Sequence, residues 1–169
     1  TMLVMGGSQG ALKINTVLEE SLPELVKKFR IVHLSGRGKV LSFSHENYCG
    51  FEYVSEGLEH IFALADFVIS RAGANAIFEF LALNKPMLLI PLSEGTRGDQ
   101  IVNAKSFAKQ GFAAEIDEGQ MDSKSLISDI DQLIQHQDKI RAAQKTFDGS
   151  TSLIKIIDQI EISSSNHQS

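Results

Sequence analysis

The chain of 169 residues has one cysteine, no excess of basic residues and no long apolar run. With Cys49 alone, no internal disulfide can form, which fits a reducing compartment. Cys49 sits in the stretch NYCGFEYV, without a histidine or basic cluster in that stretch to lower its pKa. A buried, inert thiol is therefore expected there, not a nucleophile. The net charge of -5 gives no basic footprint for nucleic acid. No segment approaches the ~18 apolar residues of a membrane span, and no signal peptide is visible. No internal repeat or low-complexity linker interrupts the chain. The five histidines lack metal-ligand spacing, and no acidic metal cluster stands out, so neither metal nor other cofactor is expected.

What is present is ordinary globular composition, 43% hydrophobic and 22% charged, at a length suited to one domain with a full core. That domain is expected over residues 1–162, with 163–169 a polar, disordered tail. The opening TMLVMGG already reads as a strand, as the interior of a longer chain would.

Apolar runs alternate with helical patterns. MLVM, RIVHL, FEYV, DFVIS, PMLLIP and FAAEI read as strands. Helices are expected over 10–29, interrupted near Pro23, then over 57–65, 73–84 and 98–111, with two or three more from about Ser123 to Ile160. The strands are continuous apolar runs, as strands covered on both faces are. Strand–helix alternation predicts an α/β, Rossmann-like parallel sheet of about six strands with right-handed crossovers. Ligands in such sheets bind beyond the carboxyl ends of the strands, so the loops there carry the information.

Three loops do. In MGGSQGA, Gly6 and Gly7 allow a sharp turn and Gly10 lets the helix approach the strand; the free amides that follow favour a phosphate, and Ser8 adds a hydroxyl. The alternative is a tight turn with no ligand. The spacing is neither the dinucleotide G-x-G-x-x-G nor a Walker A loop, and IVHLSGRG brings no acid to the end of the second strand, which weakens a dehydrogenase reading. In SRAGANAIFE, Gly73 opens a helix whose amides form a second phosphate site, and Asn75 and Glu79 share a face. Glu79 can hold a ribose cis-diol with its two oxygens, or can be a surface acid paired with a lysine such as Lys85. Arg71 either meets a phosphate or pairs with an acid. In PLSEGTRGDQIVNA, Asp99 and Gln100 stand where side chains can read sugar hydroxyls, with Asn103 one turn on in support; helix capping by Asp99 is the plainer alternative.

Taken together, GGSQGA, FVISRAGANAIFE and P-x-x-x-x-x-R-G-D-Q-I-x-N-A resemble the C-terminal half of the MurG family, the bacterial UDP-N-acetylglucosamine transferases that convert lipid I to lipid II. The resemblance runs from about Leu3 to Ile160. It implies one half of a GT-B glycosyltransferase, the half that binds the UDP-sugar donor. It places Gly7, Ser8 and Gln9 at the diphosphate, and a backbone group of Val54 at uracil. Ala74 and Asn75 fall along the nucleotide, with Gly73 and Arg71 carried among the candidate site residues. Glu79 takes the ribose, and Asp99 and Gln100 the GlcNAc hydroxyls, with Asn103 behind them.

UDP-GlcNAc or UDP is the implied partner. The lipid I acceptor, the general base and any membrane contact belong to the other half, which would hold the whole protein at the inner face of the cell membrane. An arginine expected shortly before the first strand is absent. Rival readings are a stand-alone UDP-sugar-binding subunit that pairs with a membrane or catalytic chain, a UDP-sugar 2-epimerase and, last, a dehydrogenase.

Overall fold

A computed structural model describes residues 1–7, 11–92 and 98–147. Six parallel strands form one sheet: β1 (Met2–Met5), β2 (Ile31–Leu34), β3 (Tyr48–Phe51), β4 (Phe67–Ser70), β5 (Met87–Leu89) and β6 (Ala114–Glu115). Their order is β3-β2-β1-β4-β5-β6. The helices are α1 (Leu12–Leu25), α2 (Leu58–Leu64), α3 (Ala74–Ala82), α4 (Asp99–Lys109) and α5 (Ser123–Gln144), with a 3-10 turn at Glu118–Gln120.

Each strand feeds two cores because successive side chains point to opposite faces. Met2, Val4, Phe67, Ile69, Leu88 and Ile90 pack on one face under α1 and α5. Leu3, Val68, Met87 and Leu89 pack on the other, under α2, α3 and α4. α3 seals its side with Ile77, Phe80 and Leu81, all buried, and truncating Phe80 to alanine would cost about 3–5 kcal/mol.

Three expectations need correction. The third strand is YCGF, not FEYV: β2 ends at Leu34, which pairs with Phe51, so Glu52, Tyr53 and Val54 run on past the sheet. Cys49 is exposed, not buried. The β2–β3 connection, residues 35–47, carries no helix, and its Leu41 and Phe43 cover the Tyr48 face, leaving the Cys49 face of this edge strand bare. From Ser123 onward the described residues form a single 22-residue helix, held at its start by a reciprocal cap in which Asp122 accepts from the Ser125 amide and Ser125 Oγ accepts from the Asp122 amide. Pro23 does not break α1 on the spot. The helix runs two residues further, to Leu25, although proline has no N–H to return to the preceding turn. The expected helix beyond 147, the boundary near 162 and the polar tail lie outside the described residues.

Candidate functional site

The chain goes from β1 outward to β2 and β3, then returns to β4 and continues the other way, so the order reverses between β1 and β4. Loops diverge there and leave a crevice beyond the strand ends. Gly7 turns the chain away from β1 with φ of 82°, a conformation that side chains resist, and a Cβ there would meet nothing within 4 Å. Ser8 and Gln9 lie outside the described residues.

Helices α1, α3 and α4 all begin at this edge. Their N-cap residues, Ala11, Gly73 and Gly98, offer no side-chain acceptor to the first-turn amides. Three sets of N–H groups and three positive dipole ends therefore face one rim, an arrangement suited to an anion. Gly98 holds the left-handed conformation at φ of 82°. Asp99 is thus the first helical residue, not the cap, and its carboxylate is exposed.

Beside the rim lies a cleft of about 430 Å³, lined by Met5, Gly7, Leu34, Arg37, Glu52, Tyr53, Val54 and Leu58. Its floor is apolar and its edge charged, and the Arg37 guanidinium sits 5.6 Å over the Tyr53 ring. Of these residues the sequence reading had singled out Gly7 and Val54. Glu52 and Tyr53 were missed because FEYV was assigned to the sheet, whereas its last three residues form the cleft wall.

Glu79 and Asn75 are exposed on α3. The pairing of Glu79 with Lys85 is not made: the Lys85 ammonium donates to the carbonyls of Ala63, at 3.2 Å, and Ala65, at 2.6 Å. Burial, and then Arg141, push the Lys85 pKa down. Arg71 takes the second of its two readings. Its guanidinium is buried, pairs with the buried Glu118 at 2.5 Å and donates to the Ile90 carbonyl at 3.2 Å. That ties the loop after β4 to the 3-10 turn after β6 and engages the guanidinium internally.

Gln100 is also partly committed. Its Oε1 accepts from the Leu92 amide at 3.0 Å, closing the end of β5, and its amide nitrogen has no partner among the described residues. Asn103 is buried and donates to the Ala72 carbonyl at 3.0 Å, which locks α4 to the loop that opens α3. The structure thus gathers Gly7, Val54, Gly73, Ala74, Asn75, Asp99 and Gln100 along one edge, with Glu79 on the exposed face of α3, and turns Arg71 and Asn103 inward.

Residues 1–160 match the glycosyltransferase family 28 C-terminal domain. The chain belongs to that family. Among curated relatives, it is 50% identical over 160 residues to the UDP-N-acetylglucosamine--N-acetylmuramyl-(pentapeptide) pyrophosphoryl-undecaprenol N-acetylglucosamine transferase 2 of Bacillus cereus, covering 93% of this chain and 46% of that protein. It is 47% identical over 162 residues to the corresponding transferase of Oceanobacillus iheyensis, covering 95% and 45%. The family 28 domain here therefore spans about half the length of the curated relatives it matches.

Among solved structures, the MurG of Acinetobacter baumannii superimposes with a TM-score of 0.74 at 21% identity, over 94% of this chain and 49% of that one. The solution structure of ALG13 superimposes at 0.55 and 18% identity, over 77% of this chain and 83% of that one. At these identities the two structures speak to the fold: the parallel six-stranded sheet is that of one GT-B half.

Proposed function

We propose that this chain is the donor-binding half of an inverting glycosyltransferase that moves GlcNAc from UDP-GlcNAc to lipid I, forming lipid II in peptidoglycan synthesis. The observation that carries this reading is the 50% identity over 93% of the chain to a relative named for that transfer. In this reading the candidate residues take the following roles. Uracil enters the cleft by Val54, against Met5, Leu34 and Leu58. The diphosphate lies over the starts of α1 and α3, by Gly7, Ser8, Gln9, Gly73 and Ala74. Glu79 accepts both ribose hydroxyls beside Asn75. Asp99 and the amide nitrogen of Gln100 read the sugar hydroxyls. Asn103 and Arg71 hold the loops that carry these groups and do not touch the ligand.

In the transfer, an acceptor hydroxyl bonds to C1 of GlcNAc while the C1–oxygen bond to UDP breaks. The hydroxyl proton goes to a base in the other half of the enzyme. Negative charge gathers on the departing diphosphate, where amides that are already oriented stabilise it without reorganising. Contact with the lipid acceptor and with the membrane surface also falls to the other half.

Two measurements test this. Calorimetric titration of the chain should give weak binding of UDP and UDP-GlcNAc, with dissociation constants on the order of 0.1–1 mM. A radiolabelled transfer assay with a lipid I analogue should give no product from this chain alone, since acceptor and base must be aligned with the donor before the chemistry runs. No UDP binding at millimolar concentration refutes the nucleotide site. Product at the rate of a whole enzyme refutes the half-enzyme reading.

The alternative reading is a stand-alone UDP-sugar-binding subunit that pairs with a separate membrane or catalytic chain. Restoration of transfer by a separately made N-terminal half would support that arrangement.

A further inference from the structure

Four polar groups meet inside the sheet, between the cleft and α1. His33 on β2 is fully buried, Asn15 on α1 is buried, and Tyr48 on β3 is half-buried. Asn15 Nδ2 donates to the Ser35 carbonyl at 2.9 Å, so its Oδ1 is left to accept. His33 Nε2 must therefore be the donor to Asn15 Oδ1, at 3.1 Å. That leaves His33 Nδ1 as the acceptor for the Tyr48 hydroxyl, at 3.0 Å. The chain of bonds runs one way, from Tyr48 through a neutral His33 and Asn15 to Ser35.

The far end of that chain is the cleft wall. Ser35 donates its amide to the Phe51 carbonyl at 2.9 Å and its hydroxyl to the same oxygen at 3.0 Å; Gly36 donates to the Glu52 carbonyl at 2.9 Å. These bonds carry the β2–β3 pairing past the strand ends, and the next residue on each side is Arg37 and Tyr53, the stacked pair at the cleft edge. Asn15, the member of that chain bonded directly to Ser35, lies on α1 one turn from the glycine loop, where its backbone amide bonds the Ala11 carbonyl. Leucine and phenylalanine would fill the same space without the cost of burying two polar side chains. Apolar contacts slide, however, whereas hydrogen bonds fix a direction and a distance.

The geometry points to Tyr48, His33 and Asn15 as positioning residues that hold the base-binding wall at a set distance from the phosphate-binding helix, so that one nucleotide spans both. This rests on the donor-site reading above. It differs from that reading in concerning how the two subsites are joined, not which groups touch the ligand.

The test uses Asn15→Ala and Gly50→Ala. A Cβ at Gly50 would stand 2.8 Å from the Tyr48 hydroxyl, so the second variant moves that hydroxyl off His33 while keeping every polar group. Amide hydrogen exchange is read by NMR in the free protein, with α3 amides as the internal reference. Titrations follow with UDP, uridine and inorganic pyrophosphate.

In Asn15→Ala the Ser35 and Gly36 amides should exchange about tenfold faster relative to α3. UDP should bind about tenfold more weakly, while uridine and pyrophosphate each stay within about twofold, because the gain from linking two subsites is what is lost. Gly50→Ala should show the same pattern at about threefold. If Asn15→Ala does not fold, Gly50→Ala decides alone.

Unchanged exchange at Ser35 and Gly36 in the folded variant overturns the proposal. So does an equal loss for uridine and UDP, which would make the network part of the base contact itself. If the unaltered chain binds no UDP, the donor-site reading fails, and the exchange measurement still decides whether the network holds the wall.

Discussion

Acidification should destabilise this chain through His33, and the size of the effect follows from where that ring lies. It is fully buried, and burial holds its pKa at about 4 against an ordinary 6.5. The unfolded chain therefore takes up a proton near pH 6.5, while the folded chain resists until about pH 4. The stability from the neutral buried ring is present above 6.5, is lost as pH falls through the window between the two values, and changes no further below it. Linkage gives a loss of about 1.4 kcal/mol at pH 5.5, about 2.6 kcal/mol at pH 4.5 and about 3.4 kcal/mol at the limit.

The assay is urea unfolding followed by circular dichroism across that range, on the unaltered chain and on His33→Gln, whose amide cannot titrate. Other groups add their own slopes. The Ser125 amide holds the Asp122 carboxyl below its usual range, and burial raises that of Asp129. Both are common to the two proteins and neither is bonded to His33, so they cancel in the difference. The unaltered chain should lose about 2.6 kcal/mol more than His33→Gln between about pH 7.5 and pH 4.5. Parallel curves for the two proteins would refute the assignment of a buried, neutral imidazole.

Arg71→Met should destabilise the chain by about 3–5 kcal/mol because Glu118 is left buried and unpaired, and adding Glu118→Leu should recover most of it. Urea midpoints check this, and UDP affinity of the folded double variant should be unchanged if Arg71 is no ligand. Glu79→Gln should weaken UDP binding by about 1.5–3 kcal/mol while leaving the melting temperature in place, since Glu79 is exposed; calorimetry and a thermal scan separate the two. Gln100→Ala should weaken UDP-GlcNAc more than UDP, and should also cost about 1–3 kcal/mol of stability, because the part-buried Leu92 amide loses its acceptor.

The sheet was legible because its central strands are buried on both faces, and an unbroken apolar run such as MLVM or DFVIS has few other uses. The helix starts were legible from glycine and from the apolar period behind it. β3 was not, because an edge strand covered on one face needs no apolar run: YCGF lies in the sheet, while the more strand-like FEYV supplies the cleft wall. The same one-sided cover exposed Cys49 against expectation. At the site, loop positions and the open faces of α3 and α4 could be anticipated. Partners could not, since nothing local links Arg71 to Glu118 or Gln100 to the Leu92 amide. A histidine among the three apolar residues of its strand was the available sign of the His33 network, but its partners on α1 and β3 appear only when the sheet is assembled.

Helices α1 and α5 share one face of the sheet, with Ser21 Oγ donating to Ser123 Oγ and Lys28 paired with Asp131, across separations of 102 and 103 residues. Among the described helices, the first in order is thus covered by the last. During synthesis, the face under α2, α3 and α4 can close between neighbours in sequence as each strand–helix unit emerges. Leu18, Leu22 and Leu25 must wait for a helix about a hundred residues downstream, and long-range closure of that kind is slow. Until α5 arrives, one side of the sheet lacks only the contacts of Ala143 and Phe147, and the other is an open apolar surface, the condition in which growing chains associate with one another. A chain stopped before Ser123 would remain in that condition, even though its entire ligand rim would already have been made.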